Sequence, residues 1–392
     1  MLPTVSPIDG LLVRWGPMQI IRNPRLDRGA AYGASLRAIL NAEGFAAARA
    51  EISAWPAYAP TPLVALPGLA AEAGLGAIWY KDEGGRFGLA SFKALGGAYA
   101  VSRLVARQGA GITVCTATDG NHGRSVAWGA RRFGCACVIY IHANVSEGRK
   151  AAIESYGAAV RRVDGNYDDS VRIAAEDAAA NGWHVVSDTS WDGYGDIPRD
   201  VMHGYGVMVS EILEQLPEGG MPSHVFVQGG VGGLAAAVLA LFWQRFGASR
   251  PCFILAEPEA AACLYESAKA GRRVVVPGEL DTVMAGLAAG EVSHLAWDIL
   301  RAGCDGFMTV ADDDARHMMR LLGEGGRGGD QAIVAGESAV AGLVAALAAW
   351  RADAFGLDGE SSVLVIGSEG ATDPALYEEI TGLPADRVGK QP

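Results

Sequence analysis

The sequence of 392 residues is long enough for two domains or one large α/β unit. Half of its residues are apolar, 19% are charged and the net charge is −12, so we expect a large buried core and exclude extended disorder. The acidic balance, without any basic block, argues against nucleic acids and anionic membranes as partners, although local backbone sites can still bind small anions.

Strand-like and helix-like segments alternate along most of the chain. The first sixty residues alternate little, and we expect them to wrap around the body or join a dimer interface. Strands are then predicted at 77–81, 112–117, 137–142, 159–163, 184–188, 224–228, 252–258 and 363–367. Ala-rich segments with helical spacing separate most of them, and several end in glycine. Because continuous apolar strands alternating with helices are typical of doubly covered parallel sheets, we predict an α/β fold with mostly parallel sheets flanked by helices.

Targeting and metal-binding signals are weak in this sequence. The first residues, MLPTVSPIDGLLVRWG, do not read as a secretory signal, and the longest apolar runs, 234–243 and 339–350, are too short to span a bilayer. The cysteines form no CxxC framework, so no metal site is expected; they stand at 115, 135, 137, 252, 263 and 304. A reducing, cytoplasmic location is therefore expected.

Lys93 lies in ASFKALGGAYA, between a phenylalanine and the small residues that begin a predicted helix. Only five of the 32 basic residues are lysines, and Lys150 in SEGRKAAIESYG is explained by a solvated helix face. Apolar neighbours disfavour the charged form of a lysine and make its amine available as a nucleophile. Such an amine is what a carbonyl cofactor requires, so Lys93 is a candidate catalytic residue.

A glycine-rich loop joins a strand-like run to an Ala-rich helix in VFVQGGVGGLAAAV. Its members are Gly229, Gly230, Val231, Gly232 and Gly233. Glycines permit positive φ, and N–H groups at a helix N-terminus bind anions, usually phosphate. The spacing matches neither GxGxxG nor a P-loop. It predicts a phosphate site after a strand, with a tight turn that needs glycine for packing as the alternative.

A polar turn follows another predicted strand in VCTATDGNHGRSVAWGA, where open α/β sheets bind ligands. Asp119 in this turn could be an acid/base group in a cleft or could cap the next helix. His122 stands at the helix start, and we expect it to be structural.

Asp188 ends a third predicted strand, in HVVSDTSWDGYGDIP. A second carboxylate at a second strand end is typical of a two-base site, and a turn or N-cap aspartate is the alternative. Asp192 and Asp196 are nearby competitors, and we expect them to be solvated loop residues.

Several of these motifs together resemble fold-type II pyridoxal-phosphate enzymes, the tryptophan-synthase-β group, over about residues 55–370. The motifs are TPL at 61–63, SFKALGGAYA, DGNHG, GGVGG and the AEP after a strand. Threonine and serine dehydratases of this group carry a serine where this chain has Asp119. KDEGGRFGLASFKALGGAYA, TATDGNHGR, SDTSWDGY, MAGLAAGE and SEGATD are more similar to the diaminopropionate ammonia-lyase family. The resemblance implies the cofactor pyridoxal 5′-phosphate, the substrate 2,3-diaminopropionate in its D or L form, and the products pyruvate and ammonia.

The resemblance also assigns catalytic roles by position. It makes Lys93 the residue that holds the cofactor as an imine, Asp119 the base for the D-enantiomer and Asp188 the base for the L-enantiomer. Because each base reaches only one face of the substrate α-carbon, opposed carboxylates would explain turnover of both isomers. A carboxylate at 119 can also pair with the second, cationic amine of the substrate, which serine cannot do.

The cofactor contacts implied by the resemblance are Asn121 at the 3′-oxygen, Phe92 against the ring and the loop 229–233 at the phosphate. Ser368 is expected at the pyridine nitrogen, although the family often has Ser-Thr-Glu-Gly where this chain has Gly-Ser-Glu-Gly at 367–370.

Some members of the family carry a cysteine where this chain has Ala289, able to pair with a counterpart of Cys263. No such disulfide is expected here.

A two-lobe division and a homodimer are further implications of the resemblance. The large lobe would combine residues 1–104 and 205–392, the small lobe would be 105–204, and the active site would lie between them. A serine/threonine or hydroxyaspartate dehydratase, from which hydroxide leaves, is the alternative within the cofactor class. A catalytically silent protein of the same fold that binds phosphate or an amino acid is the second alternative.

Overall fold

The computed structural model describes residues 18–118, 120–165, 167–325 and 327–390, so Asp119 lies outside the described residues. The strands of this part of the chain are β1 Ile20–Arg22, β2 Leu63–Ala65, β3 Ala77–Asp82, β4 Thr113–Ala117, β5 Ala136–Ile141, β6 Ala159–Arg162, β7 His184–Val185, β8 His224–Gln228, β9 Cys252–Pro258, β10 Gly306–Val310 and β11 Ser362–Gly367. They form two mostly parallel sheets, which confirms the predicted α/β class.

All eight strands predicted from the sequence are present, and three others were missed. β1 and β2 have only three residues each, and β10 contains a glycine and a methionine. The sequences of these three strands therefore indicate a β-strand only weakly. β7 ends at Val185, three residues before Asp188, so the prediction of a strand over 184–188 was too long. Asp188 therefore lies in a loop.

The larger sheet has the strand order β1-β10-β9-β8-β11-β3-β2. Only the two edge pairs, β1 with β10 and β2 with β3, are antiparallel. Alternate residues of its central strands enter different cores: Val225 and Val227 pack into one, and Phe226 packs into the other. Both faces are thus buried, which explains why β8 reads as a continuous apolar run.

The smaller sheet is parallel throughout, in the order β6-β5-β4-β7. Val114 and Ile139 on one face join the core of the larger sheet, whereas Cys115 and Tyr140 on the other face belong to a separate small cluster. The two sheets therefore share one core.

The α-helices of the described residues are α1 Ala34–Arg37, α2 Ala42–Ser53, α3 Pro67–Ala73, α4 Lys93–Gln108, α5 Asn121–Phe133, α6 Glu147–Glu154, α7 Tyr167–Asn181, α8 Asp196–Gln215, α9 Gly233–Phe246, α10 Cys263–Ala270, α11 His294–Gly303, α12 Asp312–Gly323, α13 Ala341–Arg351 and α14 Pro374–Thr381. Short 3₁₀ helices lie at Glu83–Gly88, Gly247–Ser249, Glu259–Ala261, Ala285–Leu287 and Ala385–Arg387. None of the helices in these described ranges has both the length and the apolarity to cross a membrane.

Small residues at the start of α4 allow two other helices to approach it closely. A Cβ on Gly96 would lie 2.4 Å from the Tyr205 ring of α8, and a Cβ on Gly97 would lie 2.0 Å from Ser125 Oγ of α5. Larger side chains would separate these helices. The glycines of SFKALGGAYA thus serve packing, and this packing fixes the N-terminus of α4, where Lys93 lies.

Candidate active site

A cavity of 560 Å³ opens beyond the carboxyl ends of β4, β7, β8 and β11. β8 lies between β9 and β11, and β4 lies between β5 and β7. At such strands the chain connections leave in opposite directions along the sheet, and open α/β sheets bind ligands at these switch points. The cavity wall includes every described site residue proposed from the sequence: Phe92, Lys93, Asn121, Asp188, Gly229, Gly230, Val231, Gly232, Gly233 and Ser368.

Lys93 and Asp188 form an ion pair inside this cavity. Lys93 is the first residue of α4, and its Nζ lies 2.5 Å from Oδ2 of Asp188. The two side chains are 19% and 20% exposed. The sequence neighbours of Lys93 are mostly apolar, but they do not show which distant side chain faces it. The fold supplies a carboxylate from 95 residues further along the chain.

The charge state of Asp188 depends on this pairing. Burial by itself would raise its pKa, but the charge of the adjacent Lys93 holds the pKa of Asp188 below its usual range. Asp188 is therefore an ionised carboxylate at neutral pH. By contrast, the side chains of Asp192 and Asp196 are 93% and 87% exposed, so both are solvated as expected. Asp196 is the first residue of α8, however, and the expectation that it lies in a loop was wrong.

His122 connects the polar turn after β4 to the loop that carries Asp188. Its Nε2 lies 2.8 Å from the carbonyl oxygen of Val186, and its Nδ1 lies 3.9 Å from Oδ2 of Asp188. The Val186 contact fits the structural role expected from the sequence. Asp119 is outside the described residues, but its neighbours Thr118 and Gly120 both line the cavity.

The glycine loop has the geometry of an anion site. Gly232 has φ +97°, and a Cβ there would lie 3.0 Å from Leu300 Cδ1, so the position favours glycine in both conformation and space. α9 begins at the next residue, and the first-turn N–H groups of a helix lack intrahelical acceptors. A phosphate placed against this loop would supply those acceptors and meet the positive end of the helix dipole.

Ser368 and Phe92 occupy the wall formed by β11 and the start of α4. Ser368 Oγ accepts a hydrogen bond of 2.7 Å from Gln228 Nε2, and its carbonyl oxygen accepts one of 3.0 Å from the Phe92 backbone. The Phe92 ring contacts Tyr205, with centroids 4.7 Å apart. Gln228 Nε2 also donates to Ile366, which orients the amide, so the hydroxyl proton of Ser368 remains available to a ligand.

Acidic residues that the sequence reasoning did not single out form another part of the wall. Asn121 Nδ2 donates to Glu369 Oε2, and the Ser338 backbone donates to Glu369 Oε1 at 3.2 Å. Glu337 is buried 3.7 Å from the Arg149 guanidinium, and burial, followed by the charge of Glu369, raises its pKa. The Gly-Glu-Ser triplet at 336–338, just before an Ala-rich helix, was the sequence feature that could have pointed to Glu337. Only the fold shows that Glu337 is buried.

Ser190 and Ser293 fasten the Asp188 loop to the glycine loop. Ser293 Oγ lies 2.8 Å from Ser190 Oγ and accepts a 3.1 Å bond from the Ser190 backbone. The Ser293 backbone donates to the carbonyl oxygen of Val231 at 2.9 Å. Both serines are buried. These hydrogen bonds therefore fix the position of the Asp188 loop relative to the anion site.

Pyridoxal phosphate matches the chemistry of this wall. Three parts of the wall matter here. Lys93 provides an amine beside the Asp188 carboxylate, and the loop 229–233 provides a glycine turn at a helix N-terminus. Ser368 provides a hydroxyl group near the Phe92 ring. Gln228 Oε1, beside Ser368, is a buried polar atom without a partner among the described residues. The amine suits an aldehyde, the glycine turn suits a phosphate, and the serine hydroxyl suits a heteroaromatic ring.

Comparisons with known proteins agree with this chemistry. The family model described as "Pyridoxal-phosphate dependent enzyme" matches residues 54–369. Diaminopropionate ammonia-lyase of Escherichia coli (strain K12) is 40% identical over 349 residues, which cover 82% of this chain and 87% of that protein. The relative of the same name from Salmonella typhimurium (strain LT2) is 38% identical over 357 residues, or 83% of this chain and 88% of that protein.

A solved structure has the same fold over nearly the whole chain. Diaminopropionate ammonia lyase from Escherichia coli in complex with D-serine has a TM-score of 0.86 to this protein, at 36% identity over 93% of this chain and 96% of that one. The chain belongs to the pyridoxal-phosphate dependent enzyme family, and within it to the diaminopropionate ammonia-lyases.

Proposed function

We propose that the protein removes ammonia from 2,3-diaminopropionate by α,β-elimination, and that water then hydrolyses the resulting aminoacrylate to pyruvate and a second ammonia. The observation that carries the proposal is the Lys93–Asp188 pair, which lies in one cavity with the glycine loop 229–233. An amine, a base and an anion site in one cavity are the groups that this reaction needs. The relatives named above are called ammonia-lyases of this substrate.

The cofactor is pyridoxal 5′-phosphate. When bound, it supplies an electron-withdrawing ring that takes up the negative charge left at the substrate α-carbon. Lys93 would hold it covalently, the loop 229–233 would hold its phosphate and Ser368 would face its ring nitrogen. Phe92 would pack against the ring, and Asn121 would face the 3′-oxygen once it separates from Glu369.

Asp188 is the proposed base for the L-enantiomer. The pKa of its carboxyl group is held below the usual range, and its Oδ2 faces the amine that would hold the cofactor, so it would lie near the α-carbon of a bound substrate. Asp119, which is assigned by resemblance, is the proposed base for the D-enantiomer. Each carboxylate would take the α-proton from one face, and either is typically worth about a hundred- to ten-thousandfold in rate.

Loss of the β-amine requires a proton on the leaving nitrogen and exclusion of water. 2,3-Diaminopropionate carries a cationic β-amine, which a carboxylate at 119 can pair with. We propose that the lobes 1–104 with 205–392 and 105–204 close over the cavity and so exclude water. Arg149 supports this, because it reaches from α6 to within 3.7 Å of Glu337 and 3.5 Å of Asp373 across the cleft.

The proposed assembly is a homodimer, as the resemblance implies. The proposed location is the cytoplasm, and the six free cysteines support a reducing compartment.

The experiment combines a spectrum with product release. Purified protein should absorb visible light from bound cofactor and release pyruvate from at least one diaminopropionate isomer, whereas Lys93→Ala should lose the visible band and the activity. Pyruvate release from D- or L-serine that exceeds release from both diaminopropionate isomers would favour a dehydratase instead. A colourless protein that takes up no added cofactor would refute the enzyme assignment.

A further inference from the structure

A second cavity, of 660 Å³, borders the proposed active site, and the chemistry above does not use it. Its wall consists of the segment 191–196, the start of α11 and the segment 271–273, with Arg199 of α8. Trp191 and His294 line both cavities. The volume lies within the usual range for small-molecule sites.

The wall of the second cavity is more basic than the protein as a whole. Arg199 pairs with Asp196 at 2.7 Å, and Arg301 pairs with Asp298 at 3.0 Å. Asp192 Oδ1 lies 2.9 Å from Nδ1 of His294, so each aspartate of the wall has a partner. The charged side chains of the wall are Arg199, Arg272, Arg273, Arg301, Asp192, Asp196 and Asp298, which leave a net charge of +1 in a chain that carries −12.

Arg272 and Arg273 remain without a carboxylate partner among the described residues. Arg272 donates one long hydrogen bond, of 3.4 Å, to the carbonyl oxygen of Arg273, which leaves most of its five donors to solvent. Arg25 likewise has no ion pair within the described ranges, and its Nη2 would lie 2.8 Å from a Cβ on Gly271. Guanidinium groups that face one region repel one another, and a multiply charged anion would remove this repulsion.

The groups that face the second cavity define the ligand. Guanidinium groups bind the oxygens of phosphates and carboxylates in pairs. α8 and α11 both begin beside this cavity, so the positive ends of two helix dipoles add to the arginines. We propose that the second cavity binds a small anion with at least two negative charges, of the phosphate or diphosphate class.

An anion bound there would contact the wall that the two cavities share. Trp191 is 44% exposed and stacks on Tyr194, with ring centroids 4.1 Å apart. The backbone of His294 donates to the carbonyl oxygen of Ser190 at 3.1 Å. The anion would therefore lie against the loop that also carries Asp188, although the proposed reaction does not require it.

The test uses the holoenzyme, because its cofactor phosphate fills the loop 229–233 and leaves the second cavity as the site for an added anion. Isothermal titration with inorganic diphosphate at physiological ionic strength should show one saturable site per chain. Arg272→Gln and Arg273→Gln keep most of the side-chain length and remove the charge. Each should weaken diphosphate binding roughly tenfold, the lower end for charge-assisted hydrogen bonds, because both side chains are exposed.

Arg245→Gln is the matched control, since Arg245 is also exposed but lines neither cavity. It should leave the affinity for diphosphate unchanged. Acetate, with a single charge, should bind at least roughly tenfold more weakly than diphosphate. Diphosphate should also raise the melting temperature of the wild type more than that of the two cavity variants, because a ligand stabilises the folded state that binds it.

The absence of saturable binding, or equal binding by the wild type and both cavity variants, would overturn the proposal. Equal affinities for acetate and diphosphate would overturn the charge class of the ligand. A dimer that dissociates in Arg272→Gln while its affinity for diphosphate is unchanged would show that a second copy of the chain covers these arginines instead. The readout is binding, so a protein that is inactive on diaminopropionate would refute the proposed function and leave the anion site intact.

Discussion

Asp188→Asn is expected to suppress turnover of the L-enantiomer selectively. The amide has nearly the same shape as the carboxylate and can still accept from Lys93, which donates to Oδ2 at 2.5 Å. It cannot take up a proton at neutral pH, so the loss should be that of a general base. This loss is typically about a hundred- to ten-thousandfold, or roughly 3–5 kcal/mol in the barrier.

The same substitution removes an ion pair whose partners are about one-fifth exposed. Such a pair lies between the exposed and the buried cases, so cofactor-free protein should lose about 1–3 kcal/mol of stability at neutral pH. The depressed pKa of Asp188 gives the sign of the pH dependence. The contribution is present above the ordinary aspartate pKa of about 4 and is lost as the pH falls through the lower folded value. The difference in stability between wild type and variant should therefore vanish in acid.

Pyruvate release from each pure isomer, measured with the holoenzyme, tests the catalytic part. Asp192→Asn makes the same chemical change four residues further along the same loop, at a side chain that is 93% exposed, and should change neither rate appreciably. Equal losses on the D- and L-isomers in Asp188→Asn would refute the division of labour between two bases. An unchanged L-rate would show that Asp188 is not a base at all.

Three further predictions concern other parts of the site. Asp119→Asn should lower D-isomer turnover roughly a hundred- to ten-thousandfold and largely spare the L-isomer, as measured by pyruvate release; the reverse preference would exchange the two assignments. Gly232→Ala should weaken cofactor retention by about 1–2 kcal/mol because φ is +97° there, whereas Gly247→Ala, at φ +57° with no neighbour within 4 Å, should leave cofactor binding unchanged in an equilibrium titration. Burial raises the pKa of Glu337, so its contribution to stability is present below the ordinary glutamate pKa of about 4 and is lost as the pH rises through the folded value. Glu337→Gln should therefore flatten the fall in melting temperature between pH 5 and pH 9, and an unchanged slope would contradict the burial argument.

The sequence by itself determined the class of fold and the places where chemistry could occur. Apolar strands such as HVFVQ at β8, followed by an Ala-rich helix, can be recognised locally, because strand and helix periods are properties of neighbouring residues. The turns after β4, β7 and β8 were identified for the same reason, since polar or glycine-rich residues interrupt apolar runs there. The roles of individual residues came from the resemblance of motifs to a known family.

Only the tertiary structure decided which side chains meet. Lys93 faces Asp188 from 95 residues away, and Ser190 meets Ser293 across 103 residues. Burial likewise depends on the packing of both sheets, so the raised pKa of Glu337 and the unpartnered Nδ1 of His122 could not be read from neighbouring letters. Local sequence sets the conformation of a segment, whereas contacts and electrostatics depend on the relative placement of segments far apart in the chain.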